Sequence, residues 1–471
     1  MAIPKNGFNY ILPFLFGLWH FMNISQVVFG QNRITSLPGY EGPLPSVLET
    51  GYIGVEKEEL QLFYYFVESE NNPKEDPILL WLPGGPHCSG MSALLYEIGP
   101  FQLEEKEYNG TLPRLLPRQY SWSKIVNILF VDLPVGSGYS YATTTRANYS
   151  GDLKIAENVN EFLRKWMLKH TQYVSNPLYV GGDSYSGFTL PPSVHRMVND
   201  NEEGMQPILN LKGYLLGNPA TDRSIDGNTQ VAFAHGMGLI SDEFFESIKT
   251  SCNGVYHNID PNNHKCKSNV LQFTRDLREI TTSHILENYC NNTDIQKLIT
   301  TKRKRIMSES TLKYNYGQEH GVFACRKESY KLSLYWMNDN RVQEALHAYK
   351  GTPIKWIRCH DGKYHYRYEV ESSVKYHVKL SAKGFRSLIY SGDHDIIVPF
   401  IGTQTWIRSL NYTIHDEWRK WIVDSQIAGY TRTYSNKMTF ATVKGAGHTA
   451  PEYKPKECAA MFKRWIAGDA L

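Results

Sequence analysis

A short apolar run that ends in a glycine-rich loop and then gives way to helical spacing recurs along this chain, and few folds accommodate it. Residues 77–82 (Pro-Ile-Leu-Leu-Trp-Leu) lead into Gly84-Gly85, and residues 127–131 (Asn-Ile-Leu-Phe-Val) lead into Asp132 and the turn Pro134-Val135-Gly136-Ser137-Gly138. Residues 178–180 lead into Gly181-Gly182, and residues 211–216, 387–390 and 438–443 repeat the pattern. Between them, Ile155, Val159, Phe162, Leu163 and Trp166 fall at helical spacing. Parallel strands need crossovers of this kind, because each connection must return the chain to the end where it started. The expectation is an α/β fold: a central, mostly parallel sheet with helices on both faces.

Composition narrows the class. The chain has 471 residues, 41% hydrophobic and 21% charged, which excludes disorder, collagen and coiled coil. Fifty basic residues (50) against 47 acidic ones give a net charge of +3, with no basic tract beyond Lys302-Arg303-Lys304-Arg305, so no nucleic-acid partner is expected. Lys5 and the apolar run 10–22 read as a secretory signal spanning residues 1–30, with an N-terminal anchor or a buried strand as the alternative. No later segment approaches the about 18 apolar residues of a membrane span, so no membrane contact is expected after signal removal.

Export agrees with four glycosylation sequons, at Asn109, Asn148, Asn291 and Asn411. It also agrees with seven cysteines that form no CxxC pair, which argues for three disulfides and one free thiol rather than a metal site. Spacing leaves the pairing open apart from Cys458. That residue falls with Met461, Phe462, Trp465 and Ile466 on the core face of a C-terminal helix, and is expected to be buried and unpaired. Residues 31–471 read as one domain, interrupted at about 219–338 by a polar insertion that carries four cysteines. Its basic run, near 300–312, is a solvated loop or a processing linker.

The chemistry centres on Gly182-Asp183-Ser184-Tyr185-Ser186-Gly187, directly after an apolar run. A nucleophilic serine in the α/β-hydrolase fold needs a tight strand-to-helix turn between small residues, where a helix N-terminus faces a developing oxyanion. Here the last glycine falls one position late. Ser137, flanked by Gly136 and Gly138, is the competing serine and reads as a turn. The base and its orienting acid follow in the order acid, then histidine. Asp393 and Asp395 come after the run 387–390, and His448 comes after the run 438–443. The oxyanion donors are expected from the Tyr185 amide and from the Gly84-Gly85-Pro86 loop. No metal or other cofactor is expected.

The chain resembles the serine carboxypeptidases in Trp81-Leu82-Pro83-Gly84-Gly85-Pro86-His87-Cys88-Ser89, in Tyr96-Glu97-Ile98-Gly99-Pro100, and in residues 132–141, 182–187, 391–399 and 445–451. More closely, it resembles the plant serine carboxypeptidase-like acyltransferases, which take 1-O-β-acylglucoses as donors. The resemblance implies a triad of Ser184, Asp395 and His448, oxyanion amides from Gly85 and Tyr185, and a substrate site including Trp81, Pro83, His87, Glu97 and Asp183. It implies disulfides Cys88–Cys359, Cys252–Cys266 and Cys290–Cys325. It also implies a vacuolar location, with an extracellular one as the alternative, and a monomer that processing of the linker can turn into two disulfide-linked chains.

Peptidases of this family hold the substrate's terminal carboxylate with an Asn in Trp-x-Asn-Gly-Gly and a Glu before the serine. Here Pro83 and Asp183 stand at those places. Proline has neither a side-chain donor nor an N–H. Glu97 and Asp183 are expected to form a carboxyl pair sharing a proton. The expected function is acyl transfer from an acylglucose to an acceptor hydroxyl or amine, with a carboxypeptidase and a non-catalytic scaffold as alternatives. His87 stands where the family has Gly. If that position needs a positive φ, the histidine is strained and distorts the oxyanion loop; otherwise it lines an acceptor pocket.

Overall fold

A computed structural model describes residues 33–290, 323, 325–351, 355–360 and 365–471. The signal 1–30, Asn291 and the linker 300–312 lie outside the described residues. The ten long strands of the main sheet are β1 (Leu48–Val55), β2 (Leu60–Val67), β3 (Ile78–Leu82), β4 (Asn127–Val131), β5 (Leu178–Asp183), β6 (Leu211–Gly217), β7 (Arg386–Gly392), β8 (Ile414–Val423), β9 (Gln426–Tyr434) and β10 (Met438–Val443). Their spatial order is β1-β2-β4-β3-β5-β6-β7-β10-β9-β8, and two short strands complete the sheet.

Six central strands, β4-β3-β5-β6-β7-β10, run parallel. All six were anticipated by the apolar runs. Both margins are antiparallel hairpins, β1–β2 and β8–β9, which the reading of apolar runs did not find. Their turns explain why. Val423 pairs with Gln426 across Asp424 and Ser425, both at positive φ, so the β8–β9 turn is the type that Asn-Gly or Asp-Gly ordinarily announces. The β1–β2 connection likewise places Glu56, Lys57 and Glu58 at positive φ.

Alternation along each central strand builds the two cores. Leu79 and Trp81 face one side of the sheet, while Ile78, Leu80 and Leu82 face the other; Ile128 and Phe130 oppose Leu129 and Val131 in the same way. The helix Asp152–Lys169 buries Ile155, Val159, Phe162, Leu163 and Trp166 against the second side. The C-terminal helix Pro455–Ala467 buries Cys458, Met461, Phe462 and Trp465 against the first, with Phe462 stacked on Trp122 at 4.0 Å. Truncating a fully buried aromatic such as Trp81 or Trp166 to alanine costs about 3–5 kcal/mol.

Residues 223–276 form three helices, Arg223–Gly236, Asp242–Cys252 and His264–Asp276, around a third apolar cluster that includes Phe233, Ile248, Phe273 and Ile396. A Cys252–Cys266 disulfide pins the second helix to the third. The helix Arg326–Met337 instead packs Leu332, Trp336 and Met337 into the core beneath the sheet. No helix among the described residues is long and apolar enough to cross a membrane.

Candidate active site

Ser184 sits between β5 and the helix Ser186–Glu202 with φ at +54°, a left-handed conformation that costs a non-glycine residue about 1–3 kcal/mol. Two backbone hydrogen bonds hold it there: Ser184 N donates to Gly217 O (2.9 Å), and Ala220 N donates to Ser184 O (2.9 Å). The flanking small residues are sterically required. A Cβ on Gly182 would lie 2.4 Å from Leu82 O, and one on Gly187 would lie 2.2 Å from Ala220 O. The late glycine is thereby explained: Gly187 admits the 217–220 loop, while Ser186 fits the turn and donates its hydroxyl to Leu82 O at 2.7 Å.

His448 and Asp395 complete a linear arrangement. His448 Nε2 lies 2.7 Å from Ser184 Oγ, and His448 Nδ1 lies 2.7 Å from Asp395 Oδ2. The Asp395 carboxylate is fully buried and accepts from Asn218 Nδ2 (2.9 Å), Ile397 N (2.8 Å) and Val398 N (3.2 Å). Asp393 turns elsewhere, accepting from Gly445 N at 2.7 Å and meeting His394. Ser137 lies in the turn its backbone closes, and its buried hydroxyl has no hydrogen-bond partner among the described residues.

The glycine loop leans directly on the serine. A Cβ on Gly84 would stand 2.6 Å from Ser184 Cβ, and Gly84 N donates to Asp183 Oδ1 at 3.0 Å. Gly85 carries the positive φ of the loop, +122°, and a Cβ there would meet His87 N at 2.4 Å. His87 itself is not at positive φ, so the strain expected of it is absent. It is buried, its ring 5.2 Å from Tyr366, and burial lowers its pKa to about 4. The buried Asp132 braces the loop from behind, accepting from Ser89 Oγ, Gly90 N (2.8 Å) and Tyr139 N (2.9 Å).

A serine carboxypeptidase family profile matches residues 38–468. The chain is 48% identical to serine carboxypeptidase-like 19 of Arabidopsis thaliana, across 98% of this chain and 99% of that one. Serine carboxypeptidase-like 3 of the same plant gives the same identity over the same shares. This protein belongs to the serine carboxypeptidase family. The fold agrees: the prohormone-processing carboxypeptidase Kex1(delta)p of Saccharomyces cerevisiae superposes with a TM-score of 0.69 at 19% identity, over 93% of this chain and 96% of that one.

Within this serine carboxypeptidase scaffold, Pro83 is buried and lines a small cavity with Pro86, Leu133 and Tyr185. Glu97, the C-cap of the helix Gly90–Tyr96, is buried and accepts from the Trp81 indole at 3.2 Å. Burial first, and the neighbouring Asp183 second, hold Glu97 well above the ordinary carboxyl range. Asp183 is also raised by burial, against the opposing pull of His448 and the Gly84 N–H. Arg358, its guanidinium 4.0 Å over the Tyr330 ring, adds a cation beside both.

Burial alone would lower the pKa of His448, but the charge and hydrogen bond of Asp395, helped by Asp183, raise it above the ordinary value. A general base works only when neutral, so a raised pKa moves the loss of activity on acidification to higher pH. The acid limb of kcat/KM is expected to centre above about pH 6.5. Asp183→Asn removes one of the raising charges and is expected to shift that limb downward. A limb that stays put in the variant would show that Asp183 does not act on the imidazole.

The structure joins Cys88 to Cys359, Cys252 to Cys266 and Cys290 to Cys325, and leaves Cys458 buried and free. The first disulfide fastens the end of the glycine loop to residues 355–360. Three disulfides mark a chain that matures in an oxidising secretory or lumenal compartment. Asn109, Asn148 and Asn411 are exposed, and Asn109 Oδ1 accepts from the Thr111 hydroxyl at 2.6 Å. Sequence reasoning missed Asn218, whose Oδ1 takes the Gly392 N–H (3.0 Å) while its Nδ2 serves Asp395. It also missed Arg358. Neither belongs to a local motif; each is brought in from a separate strand end or loop.

Proposed function

We propose that this protein is an acyltransferase that moves an acyl group from a 1-O-β-acylglucose to an acceptor hydroxyl, or an amine, of a plant specialised metabolite. The observation that carries the reading is Pro83. It removes a side-chain donor at the place where the peptidases hold a terminal carboxylate, and the next amide, Gly84 N, is already committed to Asp183. Losing one donor to a buried anion costs about 1.5–3 kcal/mol, or roughly 10–150-fold in affinity. A neutral sugar ester does not incur that loss.

Ser184 Oγ attacks the ester carbonyl while His448 Nε2 takes its proton, and the Tyr185 and Gly85 amides receive the oxyanion. Collapse breaks the bond to the sugar, and His448 returns the proton to the departing glucose. The acceptor hydroxyl then gives its proton to His448 and attacks the acyl-serine carbonyl; collapse breaks the bond to Ser184 Oγ, which takes the proton back from His448 and leaves the product ester. Trp81, His87, Glu97 and Asp183 line the donor and acceptor space in this reading. We place the mature protein in the vacuole as a monomer. A cut in the 300–312 linker would leave its two parts joined by Cys290–Cys325. Subcellular fractionation, with reducing and non-reducing gels of the native protein, tests both statements.

A carboxypeptidase is the second reading. It is favoured by the raised carboxyls of Glu97 and Asp183, which when protonated can donate to a substrate carboxylate. Acylglucoses and an N-blocked dipeptide, each with and without acceptors, separate the two. Pro83→Asn with Asp183→Glu is expected to raise the ratio of dipeptide hydrolysis to acyl transfer by about 10-fold or more. Wild type that cleaves peptides faster than it uses any acylglucose would make the second reading correct.

A further inference from the structure

Asp152 is fully buried in the first turn of the helix Asp152–Lys169, and four donors converge on its carboxylate from two other parts of the chain. Oδ1 accepts from the hydroxyls of Tyr185 and Tyr366, both at 2.7 Å. Oδ2 accepts from the backbone N–H groups of Glu369 and Val370, both at 2.8 Å. Tyr185 follows the nucleophile directly. Tyr366 lies on the strand His365–Arg367, which pairs with Tyr149–Gly151 just before Asp152. The carboxylate thus fastens the serine turn to the 365–370 segment, whose own strand pairing spans three residues.

The two tyrosines belong to a continuous cluster of rings that starts at Tyr185, the neighbour of Ser184, and includes the buried His87 and Phe188. Tyr366 meets Tyr368 at 4.9 Å and His87 at 5.2 Å, and Tyr185 meets Phe188 at 5.4 Å. Arg223 braces its outer end, with its guanidinium 4.7 Å over the Phe188 ring and 3.4 Å from the Tyr185 hydroxyl. Two rings whose hydroxyls share one acceptor cannot swing independently, and their faces, rather than their hydroxyls, are left for a ligand.

We infer that Asp152 is a positioning residue for substrate selection: by gripping Tyr185 and Tyr366 at once, it holds the aromatic wall against which the acyl group on Ser184 lies. The inference rests on Ser184 as the nucleophile and holds for acyl transfer and for hydrolysis. It predicts that loosening the grip harms a flat, ring-bearing acyl group far more than a small one. A residue that merely stabilises the fold would harm both alike.

The test compares hydrolysis of para-nitrophenyl cinnamate and para-nitrophenyl acetate, with labelling of Ser184 by a phosphonate as the measure of a working nucleophile. Asp152→Ala and Tyr366→Phe are each expected to lower the cinnamate-to-acetate ratio of kcat/KM by about tenfold, chiefly through the KM for cinnamate. The acid limb of the pH profile should not move, because His448 keeps its partners. Tyr366→Phe deletes one hydroxyl and decides the matter alone if Asp152→Ala does not fold. An unchanged ratio, or equal losses on both esters, overturns the inference. A wild type that neither cleaves the esters nor takes the label overturns the reading of Ser184 itself.

Discussion

Replacing Ser184 with alanine is expected to lower turnover by about a millionfold, the scale seen when the nucleophile of such a triad is removed. The reason is in the geometry. Ser184 Oγ lies 2.7 Å from His448 Nε2, and no other serine hydroxyl among the described residues meets that nitrogen. Stability should barely change, because alanine adopts the same backbone and loses one half-buried hydroxyl; a melting shift within about 4 °C is expected. A serine-directed phosphonate, followed by mass spectrometry, should place its adduct on Ser184. An adduct on Ser137, or an alanine variant that turns over like wild type, would remove Ser184 from the role.

Asp395→Asn is expected to cost about ten-thousand-fold in kcat while leaving the protein folded. In the wild type, every neighbour of the Asp395 carboxylate is a donor: His448 Nδ1, Asn218 Nδ2, Ile397 N and Val398 N. An amide at this place must turn its NH2 toward one of them. If it faces His448 Nδ1, the imidazole carries its proton on Nε2 instead and no longer accepts the one on Ser184. The acid limb should also drop, because the charge that raises the His448 pKa is gone. Steady-state kinetics across pH read both effects. Activity within about tenfold of wild type would show that Asn218 or solvent can substitute for the acid.

Much of this site was legible because the chemistry demands local motifs. A serine at positive φ needs close-packed neighbours without side chains, and Gly182 and Gly187 appear as such in the chain. Asp395 and His448 follow strand ends, where loops gather in a parallel sheet. The glycines of the neighbouring loop are legible for the same reason, since a Cβ on Gly84 would meet Ser184 Cβ at 2.6 Å and Gly85 takes the positive φ. His87 was read less well. Its strain depended on which residue of the loop bends the backbone, and Gly85 does so two positions earlier.

Residues that act through others left no local trace. Asn218 bridges two strands to reach Asp395, and Asp152 joins a helix start to residues more than two hundred positions away. The edge hairpins were hidden for a related reason. The β1–β2 strands are buried on both faces and β8 is largely exposed, while the turns use Glu56–Glu58 and Asp424-Ser425 at positive φ, so neither period nor turn residue announces them.

Patterning in the amino-acid sequence by itself determined the parallel centre of the sheet, the serine turn, the histidine that serves it and the buried place of Cys458, whereas only the family resemblance chose Asp395 over Asp393. These follow from short-range rules: period, steric demand for glycine, and the fixed relation of a strand end to its loop. Only the tertiary structure decided how the sheet closes at its margins, that His87 escapes strain, that Asn218 holds Asp395, and that Asp152 binds Tyr185 and Tyr366 at once. The roles of Asn218 and Asp152 depend on groups far apart in the chain coming within 3 Å of one another, which no local pattern encodes; the margins and His87 depend on which residues of a turn take up positive φ.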